Sequence, residues 1–196
     1  IIKIRNQSLK TPMNILNHFD VIIIGAGAAG LMCAIESGKR GRSVLLLDHS
    51  KKIGEKIRIS GGGRCNFTNL NTHPSKFISF NKKFMVSALN QYTQNDFIKL
   101  VESHNIKFHE KKLGQLFCDN SSQQIIDMLL DECKKANVNI LIDVIVQNIK
   151  KNETNYFIEL TDCMYSSSSL VIATGGLSIP KIGATKFGYE IAKKFD

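Results

Sequence analysis

Val21-Ile22-Ile23-Ile24-Gly25-Ala26-Gly27-Ala28-Ala29-Gly30 is the stretch on which the reading of this 196-residue chain turns. Its four β-branched residues run without alternation, as in a strand buried on both faces of a parallel sheet. Gly25 ends the run. From Ala28 the apolar positions Leu31, Ala34 and Ile35 recur at helical spacing, until Lys39, Arg40 and Gly41 supply a C-terminal charge and a stop. Val44-Leu45-Leu46-Leu47 is a second buried strand, closed by Asp48. Strand, helix and strand make a βαβ unit with G-x-G-x-x-G in its first turn. Gly25 turns the chain, Gly27 leaves room for a pyrophosphate, and Gly30 lets helix and strand pack closely. The pyrophosphate is expected at the helix N-terminus, where free N–H groups and the helix dipole favour negative charge. Asp48 stands where an acid hydrogen-bonds the adenosine ribose.

Around this unit, composition narrows the class. Hydrophobic residues make up 43% of the chain and charged ones 22%, enough apolar surface for a core and one compact domain. Cys33, Cys65, Cys118, Cys133 and Cys163 form no C-x-x-C pair and stand beside no His cluster, which argues against zinc, other metals and a disulfide framework. A reducing cytoplasm is the natural setting. The most apolar segment, residues 21–35, is interrupted by three glycines, so no membrane helix or membrane partner is expected. It also lacks the flanks of a signal peptide. The first residues, 1–12, are polar and unpatterned; they read as a leader ahead of a start at Met13, with the cofactor-binding domain over 13–196. The net charge of +9 is dispersed, as on a solvated lysine-rich surface, except at Lys51, Lys52 and Lys56 in the loop after the second strand.

Residues 49–80 are rich in Gly, Asn, Ser and Lys, a connection too long to be incidental. Beyond it the pattern predicts helices near 82–90 and 95–103 and a hairpin-like pair at 106–108 and 115–117. Ser121-x-x-Gln124 reads as a capping box before a helix with Ile126, Leu129, Leu130 and Cys133 on one face. Short strands follow near 138–142, 144–149 and 156–160. After the serines at 166–169, Leu170-Val171-Ile172-Ala173 is a buried strand running into Thr174-Gly175-Gly176, and Phe187, Ile191 and Phe195 mark a last helix.

NAD and FAD both fit the first glycine set. A nicotinamide half would continue the helix-strand alternation, whereas here a strand meander leads into a second glycine turn, as in the FAD domain of the glutathione-reductase type. FAD is therefore the expected cofactor. A second loop, Lys56-Ile57-Arg58-Ile59-Ser60-Gly61-Gly62-Gly63-Arg64-Cys65-Asn66, sets three glycines among cationic side chains, a concave nest for an anion or a flavin edge. The glycine set through Leu31, the run Ile59 through Asn69, and Ala173-Thr174-Gly175-Gly176-Leu177-Ser178-Ile179-Pro180 with Gly188-Tyr189-Glu190-Ile191-Ala192 together resemble the BaiN-like, YhiN-type flavoprotein family.

That resemblance implies an FAD-dependent oxidoreductase with NAD(P)H as electron donor, acting on a conjugated carbon-carbon double bond of a small, steroid-like organic molecule. Nucleic acid is not an expected partner; an FAD-dependent RNA-modifying enzyme and a silent truncated fragment are the alternatives. By position, Gly25, Gly27, Ala28, Ala29, Gly30 and Asp48 hold the adenosine diphosphate part. Lys56, Gly62, Gly63, Arg64, Cys65 and Asn66 lie along the flavin, Thr174, Gly175 and Gly176 close over the pyrophosphate, and the backbone of Val146 meets the adenine. The chain departs from the family with Asp48 for Glu, Lys186 for Gly and Cys118 for Pro. Family members also continue past this length with a substrate domain and a last FAD segment, so the chain reads as C-terminally truncated. Neither Cys65 nor any histidine carries a motif that would make it a catalytic acid, base or redox thiol.

Overall fold

The computed structural model describes residues 2–4, 15–178 and 184–195; the expected start at Met13 and the Ile179-Pro180 pair lie outside them. Elements are numbered in chain order: strands β1 (Ile2–Ile4), β2 (Ile15–Ile24), β3 (Val44–Leu47), β4 (Asn66–Asn69), β5 (Phe108–Glu110), β6 (Gln115–Cys118), β7 (Asn139–Ile142), β8 (Val146–Lys151), β9 (Tyr156–Leu160) and β10 (Met164–Ile172). The helices are α1 (Ala28–Lys39), α2 (Glu55–Ile59), α3 (Val86–Gln91), α4 (Gln94–Ser103), α5 (Gln123–Lys135) and α6 (Phe187–Phe195). Two compact units result: Ile1–Lys56 with Leu129–Asp196, and Ile57–Met128.

The first unit is built on a seven-stranded sheet in the order β1-β7-β3-β2-β10-β9-β8. Its first five strands pair in parallel and the last two turn antiparallel. This is a mixed α/β Rossmann-like FAD-binding fold. The unalternating apolar runs explain the centre: Ile22, Ile23, Leu45, Leu46 and Leu47 are fully buried because β2 and β3 are covered on both faces. Each such side chain contributes roughly 1.5–3 kcal/mol. On one face Ile22, Ile24, Leu45 and Leu47 pack with Ile149, Ile158, Leu160 and Tyr165 of the meander. Leu31, Ala34 and Ile35 form the buried stripe of α1.

Three details differ from the sequence reading. The serine run lies inside β10 rather than before it, and Ser166 and Ser167 are buried. Serine is a poor strand former, but here the backbone ladder to β2 decides, and His18 ties the serines down through Nδ1 to Ser166 Oγ (3.1 Å) and Nε2 to Ser168 Oγ (3.2 Å). β7 joins the parallel part beside β3, so the meander consists of β8, β9 and β10. Within the segment read as unpatterned, Ile2–Ile4 pairs in parallel with β7. At the far end of the sheet order, β8 carries exposed Lys150 and Lys151, and Lys194 of α6 donates to Ile149 O (2.6 Å) and Asn148 Oδ1 (2.8 Å).

The second unit holds a three-stranded antiparallel sheet, β4-β6-β5. The expected hairpin is β5 and β6, while β4, with the sequence Asn-Phe-Thr-Asn, carries too little apolar alternation to be read as a strand. Its Phe67 packs against Phe108 of β5 and Phe97 of α4, with ring centroids 5.4 and 6.1 Å apart. The start of α4 is a capping box: Asp96 N donates to Thr93 Oγ1 (3.3 Å) and Thr93 N to Asp96 Oδ2 (2.8 Å). Of the box expected ahead of α5 one half forms, Ser121 N donating to Gln124 Oε1, while Ser121 Oγ accepts from Gln123 N rather than from Gln124 N. Among the described residues no helix is long and apolar enough to cross a membrane.

Candidate functional site

In the first unit the chain leaves β2 into the glycine turn with two backbone N–H groups already fixed. Gly25 N donates to Leu47 O (2.7 Å) and Ala26 N to Asp48 Oδ2 (2.6 Å). Gly25 has φ +110°, and a Cβ there would lie 2.5 Å from Ala173 O, so the first glycine turn and the end of β10 are in direct backbone contact. Gly30 is held as closely, since a Cβ on it would fall 1.8 Å from Gly25 O. Gly27 is different. It is the N-cap of α1, no side chain caps it, the first turn holds no acid, and a Cβ would meet nothing within 4 Å. Beyond it Ala28 and Ala29 are exposed. An open cradle at an uncapped, acid-free helix start suits an anion.

Asp48 closes β3 with a mostly buried carboxylate. Its Oδ2 accepts from Ala26 N and its Oδ1 from Ser50 N (2.7 Å), so the side chain braces the glycine turn, a role beyond the ribose contact expected of it. A carboxylate has about four acceptor positions, which leaves capacity for a ribose hydroxyl. Lys56 reaches across to the loop after β10 and donates to Gly176 O and Ser178 Oγ, both at 3.2 Å. Thr174 lies under the start of α6, where a Cβ on Gly188 would stand 3.0 Å from its Oγ1. The structure thus brings Gly25, Gly27, Ala28, Ala29, Gly30, Asp48, Lys56, Thr174, Gly175 and Gly176 to one end of the sheet. Val146, at the first position of β8, packs its side chain against the apolar cluster. Ser178, the partner of Lys56, was missed by the sequence reading; its only signal is its place within the third family block.

Gly62, Gly63, Arg64, Cys65 and Asn66 lie in the second unit. After α2 the backbone makes a 3-10 turn, Ser60–Gly63, with Gly61 and Gly62 left-handed at φ +58° and +68°. Arg64 N and Cys65 N both point at Ser60 O, the second at 3.0 Å, so these two amides close the loop rather than standing free as the nest reading expects. Gly63 O and Arg64 O are held in turn by Ser122 N (2.7 Å) and Cys118 N (2.9 Å). Arg64 is exposed, and its guanidinium has no partner among the described residues. Asn66, with its amide nitrogen turned inward, donates to Leu116 O and Thr68 O at 3.2 Å. Cys65 is buried at φ +52°, and burial pushes its thiol above the usual range. Cys118 is pushed up to about 11 by burial, with Cys65 and Asp119 adding to it. Both are therefore protonated, packed side chains at neutral pH.

A glycine turn at the head of a parallel sheet, an acid closing the second strand and a second glycine turn fed by an antiparallel meander define a flavoprotein of the FAD-binding Rossmann class. Within that class the chain belongs to the HI0933-like protein Rossmann domain family, whose model matches residues 19–196. It is 54% identical, over 92% of its length and 45% of the relative's, to the ribosomal RNA dihydrouridine synthase of Escherichia coli (strain K12). To the 3-dehydro-bile acid delta(4,6)-reductase of Clostridium scindens it is 25% identical, over 87% of the chain and 42% of that protein. The chain thus spans under half the length of these curated relatives. Among solved structures, the open conformation of a flavocytochrome c3 fumarate reductase superposes with a TM-score of 0.63 at 19% identity, over 92% of this chain and 41% of that one. That likeness is one of fold.

These findings correct two expectations. The small unsaturated organic substrate is overturned by the relative at 54% identity, which is named for ribosomal RNA, while the bile-acid reductase stands at 25%. The same relative overturns the expectation that nucleic acid is no partner. The physical reason is that the expectation rested on glycine loops and an acid read as cofactor-binding, and residues of that kind carry no information about the acceptor. The dispersed +9 charge, which fits a solvated surface, suits a polyanion equally well.

Proposed function

We propose that this chain is the FAD-holding part of a cytoplasmic ribosomal RNA dihydrouridine synthase that takes its electrons from NADH or NADPH. The 54% identity to a protein of that name over nearly the whole chain carries the reading. The open cradle at Gly27 fits the dinucleotide. Gly27, Ala28 and Ala29 would present N–H groups to its pyrophosphate, and Asp48 would add a ribose contact to its hold on Ala26 and Ser50. Lys56, anchored on Gly176 O and Ser178 Oγ, would place positive charge beside the Thr174-Gly175-Gly176 turn. Arg64 would lie along the flavin, its cation facing charge that develops on reduction.

When bound, the flavin supplies hydride-transfer chemistry that no side chain offers. Making dihydrouridine means saturating C5=C6 of uracil. C6 lies β to the C4 carbonyl and is the electron-poor end that takes hydride, and C5 takes the proton. The chain's part is to hold, orient and neutralise charge.

The test uses the full-length protein loaded with FAD, a nicotinamide donor and ribosomal RNA lacking dihydrouridine, with nuclease digestion and mass spectrometry as the readout. The expected result is uridine converted to a nucleoside heavier by a pair of hydrogens. Flavin that is bound and bleached by the nicotinamide, with every uridine unchanged, would overturn the RNA assignment.

A further inference from the structure

Residues 57–95 contain no Asp or Glu, although 17 acids in 196 residues would put about three in a stretch of that length. The same stretch carries Arg58, Arg64, Lys76, Lys82 and Lys83. Within it, residues 75–84, Ser75-Lys76-Phe77-Ile78-Ser79-Phe80-Asn81-Lys82-Lys83-Phe84, are all exposed. Phe77 is 42% exposed, Ile78 106%, Phe80 112% and Phe84 69%. Scattered single apolar residues on a surface need no explanation, but three phenylalanines within eight positions, with lysines between them, do. Local hydrogen bonds give the segment form: Phe77 N donates to Pro74 O (3.2 Å) and Phe84 N to Asn81 O (3.0 Å). The three ammonium groups have no carboxylate partner among the described residues.

We propose that residues 75–84 are a docking surface for unpaired RNA, with bases stacking on Phe77, Phe80 and Phe84 and phosphates meeting Lys76, Lys82 and Lys83. The assignment rests on the RNA reading above and adds to it the part of the chain that touches the polymer and the form the polymer takes. Aromatic rings interleaved with cations, with acids absent, match what a flexible strand of splayed bases and regular phosphates requires. Paired RNA keeps its bases stacked on each other and offers these rings nothing, so the surface selects loops or single strands. A protein partner fits less well, because lysine is depleted from protein interfaces and here flanks the rings on both sides. A membrane surface is bound by an amphipathic helix with one apolar face, whereas residues 77–85 form turns and bends.

The test is fluorescence anisotropy on the chain with a labelled oligouridine of about a dozen nucleotides. The same sequence closed into a duplex and phosphatidylserine vesicles serve as the other two arms. F80A/F84A should weaken binding to the single strand by about 30-fold or more with the salt dependence unchanged. K82A/K83A should lower the slope of log affinity against log salt by about 1.4. These side chains are exposed, so both variants should keep the circular dichroism of the parent. Equal RNA binding by parent and variants would overturn this surface and leave the RNA reading standing. Failure of the parent to bind any RNA would overturn both, with flavin absorbance reporting separately on the cofactor site. Preference for vesicles or duplex over the single strand would overturn the assignment to unpaired RNA.

Discussion

Replacing Asp48 with Ala strips acceptors from two backbone N–H groups at once, those of Ala26 and Ser50. Unpaired, partly buried donors cost about 1–3 kcal/mol, so urea unfolding of Asp48→Ala should show a lower midpoint at unchanged slope. FAD affinity should fall with it, because the turn that carries Gly27 loses its brace. Gly30→Ala should do more harm than its size suggests, since the added carbon would collide with Gly25 O at 1.8 Å. Backbone opposes backbone there, and neither can rotate away. Gly25 and Gly30 were legible in the sequence because their roles, turning and close approach, belong to the peptide unit, whereas the brace made by the Asp48 carboxylate was not. The orientation of the Arg64 and Cys65 amides was not, because it depends on where Ser60 O arrives after two left-handed residues, and no residue type announces that.

Among the elements, α4 opens on a cap that titrates. Hydrogen bonds from the Thr93 hydroxyl and then from Thr93 N hold the Asp96 carboxyl below its usual value. A carboxyl lowered in the folded state adds stability above the unfolded value near pH 3.9, and that stability drains away as pH falls through the folded value. Asp96→Asn should therefore melt earlier than the parent at pH 7, and the gap should close as the solution is made more acid than pH 4. Thermal melts followed by circular dichroism across that range decide it; a gap independent of pH would remove the charge from the explanation. Helices of this kind were legible because periodicity is local, although the Thr93 cap itself was not picked out. β4 and the serine half of β10 were not, because both are strands only by virtue of their neighbours: Asn66 opposite Phe117, and Ser167 opposite Phe19.

For the whole molecule, the fold class followed from one βαβ unit, whereas the acceptor did not. Cofactor-facing residues constrain the cofactor, and the substrate is chosen by surface that obeys no short motif. If the first unit holds FAD as proposed, free FAD at a hundred times its dissociation constant should add about 2.7 kcal/mol to stability. For a chain of this size that is a rise of roughly 5–10 °C in the melting midpoint. Adenosine diphosphate should give part of the rise and riboflavin less, because the uncapped start of α1 would hold the phosphates. No shift with FAD would overturn the proposed cofactor site, and a shift with FAD but none with adenosine diphosphate would place the phosphates away from α1.

The lysines on β8 bear on how the protein behaves in a crowded solution. An open sheet margin invites a strand from another molecule, and stacking of that kind is how fibres begin. Lys150 and Lys151 would set like charges against any identical strand that approached, and Lys194 already occupies one carbonyl such a strand could use. Neutralising the three should therefore surface first as turbidity on concentration, well before flavin is lost.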